Sequence, residues 1–174
     1  MFTRDAAYYI EQLKLVSHPE GGHFASSYFG DEKIKTSNDK SRNLFTSIYF
    51  LLKPGEVSHF HRLQSDELWY FHDGSPLTVH IISPEGDYNE YRLGLDLVNG
   101  QKPQVKVPKG SIFGSSVDRD DNFSLVGCMV SPGFDFEDFE LFTQSQLLEA
   151  YPQHEEIILK LAYESSNHKE TADR

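Results

Sequence analysis

His59 and His61 are separated by one residue in the stretch from Gly55 to Gly74, and Glu67 follows six residues after His61. Along a β-strand alternate side chains share a face. A strand over residues 57–61 therefore points both imidazoles the same way. A neighbouring strand through Glu67, Trp69 and Phe71 then returns a carboxylate to meet them. His59, His61 and Glu67 together form a ligand set for a divalent metal of hydrolytic or redox use. The same groups serve acid–base chemistry without a metal: His61 is the candidate base, oriented by Glu67 or Asp66, with Tyr28 or Tyr49 as the acid. His61 and Glu67 are thus the candidate catalytic residues. Phe24, Tyr28, Tyr49, Trp69 and Phe113, with the two histidines and Glu67, are candidates for the lining of a ligand pocket, since such pockets are mostly apolar with a few placed polar groups. Glu20, just before Gly21 and Gly22, is a further candidate at the pocket mouth. His72 and His80 fall on the opposite strand faces and read as surface or interface residues.

The elements that position these residues are short. Thr3 is a candidate N-cap for a helix over residues 4–14, with Ala6, Ile10 and Leu13 on one face. His18 to Gly22 is a turn, and His23 to Tyr28 a strand with Phe24, Ser26 and Tyr28 on one face. Residues 30–43 are polar and read as an exposed loop. Eight short strands follow between residues 44 and 130, divided by turns rich in Gly, Pro, Asn and Asp. This regular spacing predicts a sandwich or barrel of antiparallel strands. Thr143 and Gln146 form a capping box ahead of Leu147 and Leu148, and Pro152 suits the start of a last helix.

A chain of 174 residues fits one domain over residues 1–163, followed by a polar tail over 164–174 that is expected to fray. Acidic residues outnumber basic ones by 27 to 16, giving a net charge of −11. A surface of that sign repels phosphate backbones, which argues against a nucleic-acid partner. No apolar run is long enough to cross a bilayer as a helix, which argues against a membrane partner. The single cysteine, Cys128, excludes an internal disulfide and reads as a core residue. A cytoplasmic protein is the expectation.

The stretch from Gly55 to Gly74 resembles the first motif of the cupin superfamily: a glycine, two histidines one residue apart, a glutamate and a closing glycine. Gly100 and the run Pro108-Lys109-Gly110-Ser111-Ile112-Phe113 resemble the second. More specifically, the chain is similar to a small uncharacterised branch, sometimes called the fifth cupin family, from about residue 5 to residue 148. The similarity is carried by His18-Pro19-Glu20-Gly21-Gly22, the run Thr46 to Leu52, Phe60-His61-Arg62, Asp66-Glu67-Leu68-Trp69, Gly127-Cys128 and the run Pro132 to Phe136, in that order. The resemblance implies an all-β double-stranded β-helix, or jelly-roll barrel, with a short N-terminal helix and one or two C-terminal helices. It also implies a pocket inside the barrel and a homodimer. In the wider superfamily the second motif supplies a further histidine, and Phe113 stands in its place. Three functions remain open at this point. The chain binds a small molecule around His61, Glu67 and Trp69; or it is a small-molecule enzyme, metal-dependent or similar to the metal-free sugar epimerases among cupins; or it is a structural or storage-like protein.

Overall fold

The structure is a computed structural model and describes residues 4–164. Helix α1 (Ala6–Leu13) opens the chain, followed by strands β1 (Val16–Ser17), β2 (His23–Phe29), β3 (Lys33–Lys35), β4 (Ser41–Asn43) and β5 (Thr46–Leu52). Then come β6 (Val57–Arg62), β7 (Asp66–Gly74), β8 (Leu77–Ile82), β9 (Tyr88–Leu93), β10 (Gln104–Val107), β11 (Ile112–Val117), β12 (Ser124–Ser131) and β13 (Glu140–Leu141). Helices α2 (Gln144–Ala150) and α3 (Glu155–Leu161) complete it.

The strands form two main antiparallel sheets. One has the order β1-β2-β5-β12-β7-β10, and the other β13-β6-β11-β8-β9. Apart from the consecutive pairs β1–β2 and β8–β9, neighbours in each sheet are separated in sequence by other strands, as in a jelly roll. Phe50, Leu52, Trp69, Val79, Phe113, Val126 and Cys128 are buried together in the core of the barrel. Each fully buried side chain of this size contributes roughly 1.5–3 kcal/mol. The outer faces are covered by the helices. Phe60, Ile82 and Ile112 pack with Leu147, Ile158 and Leu161 of α2 and α3, and Leu51, Phe123 and Leu125 pack with Tyr9, Ile10 and Leu13 of α1.

Helix ends follow local chemistry. Asp5 caps α1 by accepting the Tyr8 N–H at 2.8 Å; the expected cap, Thr3, lies outside the described residues. The capping box of α2 forms as expected, with Thr143 N–H donating to Gln146 Oε1 at 2.9 Å. The polar tail beyond Glu164 also lies outside the described residues. Residues 30–43 depart from expectation, because they hold the β3–β4 hairpin. Its composition is too polar to show strand alternation. It is held instead by Arg42, 7% exposed, whose guanidinium donates to Asp138 and Glu137 at 2.7 and 3.0 Å. His80 also differs from expectation. It is buried, with its two ring nitrogens 2.7 Å from the Tyr88 hydroxyl and 2.9 Å from Ser116 Oγ.

Candidate functional site

The placement of the two histidines depends on one extra residue in β6. Against β11, Ser58 pairs with Ser115 but His61 pairs with Phe113, so three steps on β6 match two on β11. The strand bulges at this point, opposite Gly114. A Cβ on Gly114 would sit 2.5 Å from the Ser58 carbonyl oxygen, so only glycine lets the strands approach this closely. The bulge breaks the alternation expected of His59 and His61. His61 turns into the barrel and is buried. The His59 ring stacks on Tyr163 at 3.8 Å, and its Nδ1 lies 2.8 Å from the Glu20 carbonyl oxygen.

The turn His18 to Gly22 closes over the same place. His59 N–H donates to the Glu20 carbonyl at 2.6 Å, and Gly21, at φ +103°, passes so close to β6 that a Cβ would lie 2.3 Å from the Val57 oxygen. This contact drives the Glu20 side chain inward. Glu20 Oε2 lies 3.0 Å from His61 Nε2, and Glu20 Oε1 accepts from Ser58 Oγ at 2.9 Å. His18 Nδ1 is 3.6 Å from Glu20 Oε2 and accepts the Glu20 N–H at 3.2 Å.

These groups border a cavity of about 200 Å³. Its polar wall includes His18, Glu20, His61 and Glu67, and its apolar wall includes Phe24, Ile48, Leu63, Val130, Phe134 and Phe136, with Cys128 beside them. Phe134 and Phe136 stand on the arm that Arg42 holds through Asp138, so the hairpin fixes one side of the mouth.

Burial sets the proton positions. His61 Nδ1 is 2.7 Å from the His59 carbonyl, which only accepts, so Nδ1 carries the hydrogen and Nε2 faces Glu20 as an acceptor. Burial lowers His61 to about 4 and raises Glu20, so a proton shared between them rests on Glu20 rather than on His61. Burial also lowers His18, against the opposing pull of Glu20. Glu67 is pushed up to about 8, first by burial and then by the neighbouring Glu20. The Trp69 N–H opposes that rise without meeting Glu67 in hydrogen-bond geometry, and Glu67 Oε2 and Trp69 Nε1 are both buried with no hydrogen-bond partner among the described residues. Burial, with Glu67 and Glu20 nearby, pushes the Cys128 thiol well up, which leaves it protonated and unreactive.

Of the residues singled out by sequence, Phe24, His61 and Glu67 line the cavity. Phe113 packs on His61, with ring centres 4.1 Å apart, and Trp69 packs in the core against Phe50 and Phe113. Tyr28 does not belong to the pocket: it is 70% exposed, because β2 carries its own extra residue between Ser26 and Tyr28. Tyr49 lies on the outward face of β5, beside His72 and the α1 cluster. Asp66 cannot orient His61, since it accepts from Lys109 N–H at 2.8 Å and pairs with Lys106. The metal set His59, His61 and Glu67 does not converge. His59 is turned out by the bulge, both His61 nitrogens face protein groups, and Phe113 packs on the His61 ring. Among the described residues no group of three or more His, Cys, Asp or Glu side chains is placed to hold a metal ion. Residue pattern alone missed the placement of His18 at the cavity wall and left that of Glu20 undecided. The signal was the turn His18 to Gly22, whose paired glycines mark a close approach of backbone.

A two-sheet jelly roll enclosing a pocket is the architecture of the cupin class of barrels. Residues 7–142 match the model of the cupin superfamily (DUF985), and the chain belongs to that family. It is similar to the solved structure of protein SO0799 from Shewanella oneidensis, at 55% identity and a TM-score of 0.86, covering 94% of this chain and 100% of that one. A hypothetical protein from Leishmania major is similar at 43% identity and a TM-score of 0.88, covering 92% and 100% of the two chains. The uncharacterized protein YML079W of Saccharomyces cerevisiae is 33% identical over 144 residues, covering 74% of this chain and 71% of that protein. Oxalate decarboxylase of Bacillus subtilis shares the fold alone, at 14% identity and a TM-score of 0.54, covering 87% of this chain and 38% of that one.

Proposed function

We propose that the chain binds a small molecule in the barrel cavity bordered by His18, Glu20, His61 and Glu67. The observation that carries this reading is Glu67 Oε2: a buried carboxyl oxygen without a partner, at the wall of a cavity, is an acceptor or donor waiting for a ligand atom. A structural or storage role gives such a group no use. Thermal denaturation against a library of small metabolites tests the proposal. A ligand present at about 100 times its Kd stabilises the native state by roughly 2.7 kcal/mol and raises the melting temperature. A library that shifts nothing would sink the reading.

A second reading, acid–base catalysis on the bound molecule, is favoured by the 3.0 Å contact between Glu20 and His61. The two groups differ in the direction of their shift, which suits one to give a proton and the other to take it. Solvent deuterium entering a carbon-bound position of the ligand, and lost in His61→Gln with the fold intact, is the expected sign. The chain is further proposed to work as a homodimer, supported by the apolar exposed edge at β2. A cytoplasmic location is supported by the lack of any disulfide-forming pair of cysteines.

A further inference from the structure

The chemistry of the cavity wall is one-sided. Its ionisable side chains are His18, Glu20, His61, Glu67 and Cys128, and among the described lining residues none is lysine or arginine. A bound carboxylate or phosphate would find no fixed positive charge there. His61 offers it no N–H either, because Nδ1–H is given to the His59 carbonyl and Nε2 faces Glu20. A cation can displace the proton that Glu67 otherwise holds and pair with the carboxylate so formed, whereas an anion only makes that carboxyl harder to ionise.

A positively charged ligand meets the opposite situation. Glu67 is 7% exposed and its Oε2 has no partner among the described residues, so an N–H donor fills a gap that the protein leaves open. Phe24, Phe134 and Phe136 line the same space, and aromatic rings attract ammonium groups. The net charge of −11 draws cations toward the chain and repels anions. A cavity of about 200 Å³ sets the size, since an apolar cavity of about 150 Å³ holds benzene.

We propose that this pocket, taken as the ligand site described above, binds a small organic cation, an amine or ammonium compound slightly larger than benzene, held by the Glu67 and Glu20 carboxyls against the phenylalanine wall. The test uses probes of matched shape. Choline and n-butylammonium are titrated against the full chain beside their uncharged counterparts, 3,3-dimethylbutan-1-ol and 1-butanol, and the anion 3,3-dimethylbutanoate. Binding is followed by calorimetry and by chemical shifts. At least one cation is expected to bind roughly tenfold tighter than its neutral counterpart, with the anion not binding. Glu67→Gln keeps the size of the side chain and removes the carboxylate that forms when a cation displaces its proton. It is expected to bring the cation down to the level of the neutral probe, while circular dichroism and melting temperature stay as in the wild type. Phe24→Leu is expected to weaken choline more than 3,3-dimethylbutan-1-ol. Neutral or anionic probes binding as tightly as the cations would overturn the proposal and leave the pocket reading intact. So would a cation affinity unchanged in Glu67→Gln. Silence from all five probes at about 10 mM, well above a millimolar Kd, would overturn it as well. If the metabolite library is then also silent, the pocket reading falls with it.

Discussion

Glu67 keeps its proton to about pH 8 in the folded chain, whereas a glutamate in an unfolded chain loses it near 4.3. Between those values the folded state holds more protons than the unfolded one, so stability falls as pH rises. Glu20, raised by burial, acts in the same direction. His61 and His80, both lowered to about 4 by burial, act the other way. The unfolded chain binds their protons up to about 6.5, so their contribution to stability grows as pH rises through that range. The two effects oppose each other until the unfolded histidines have lost their protons, about one unit above 6.5, and beyond that the carboxyl effect prevails. Urea denaturation is therefore expected to show stability falling from about pH 7.5 to 8.5, by at most about 1.4 kcal/mol per pH unit for each proton released. Glu67→Gln removes most of that slope. A flat wild-type profile over this range would mean that Glu67 is already ionised in the folded chain and has a partner.

At the scale of elements, two strand irregularities decide which side chains reach the cavity. The bulge in β6 turns His61 in and His59 out, and the one in β2 keeps Phe24 and Ser26 at the cavity and sends Tyr28 to the surface. Gly114→Ala tests the first. Its new Cβ meets a backbone oxygen at 2.5 Å, which no side-chain rotation relieves. A loss of about 2–3 kcal/mol in chemical denaturation is expected, with the His61 ring resonances displaced. The neighbouring Ser115→Ala should be neutral or stabilising, because it removes a buried hydroxyl that has no partner among the described residues. A Gly114→Ala variant as stable as the wild type would show that the bulge does not need glycine. These irregularities also mark where the sequence stops being readable. Alternation and turn residues announce the strands and the jelly roll, since each strand needs only local pattern and punctuation. His61, Glu67 and Phe24 keep their expected place for the same reason. Strict alternation gives no sign of an inserted residue, so His59 and Tyr28 are misplaced by it. The inward turn of Glu20 and His18 comes from a long-range fit between the turn at Gly21 and β6, which no periodicity carries. The β3–β4 hairpin is hidden likewise, because Arg42 finds its carboxylates almost a hundred residues away, at Glu137 and Asp138.

At the scale of the whole molecule, the β2 edge of the six-stranded sheet is poorly covered among the described residues. β1 pairs with β2 only at His23 and Phe24, so the outer side of β2 from Ala25 to Phe29 has no strand beside it among the described residues. An open edge with apolar side chains is a template for pairing with another chain. Tyr28 is 70% exposed, Phe29 62% and Leu44 40%, and all three lie at this end of the sheet. Charge works against association, since each chain carries −11, so a stable pairing must draw on apolar contact. A second copy meeting β2 across a two-fold axis would extend the sheet and cover these residues, and a standard interface takes about 800 Å² from each partner. Light scattering is expected to give twice the chain mass for the wild type. Tyr28→Glu combined with Phe29→Ser should give the single-chain mass with an unchanged circular dichroism spectrum, because both side chains are more than half exposed. The pocket residues lie on the inner face of the sheet, so the double variant should bind pocket ligands as the wild type does if each barrel works alone. A double variant that stays dimeric would move the interface away from β2, and a wild type that is monomeric at every concentration would remove the two-fold arrangement altogether.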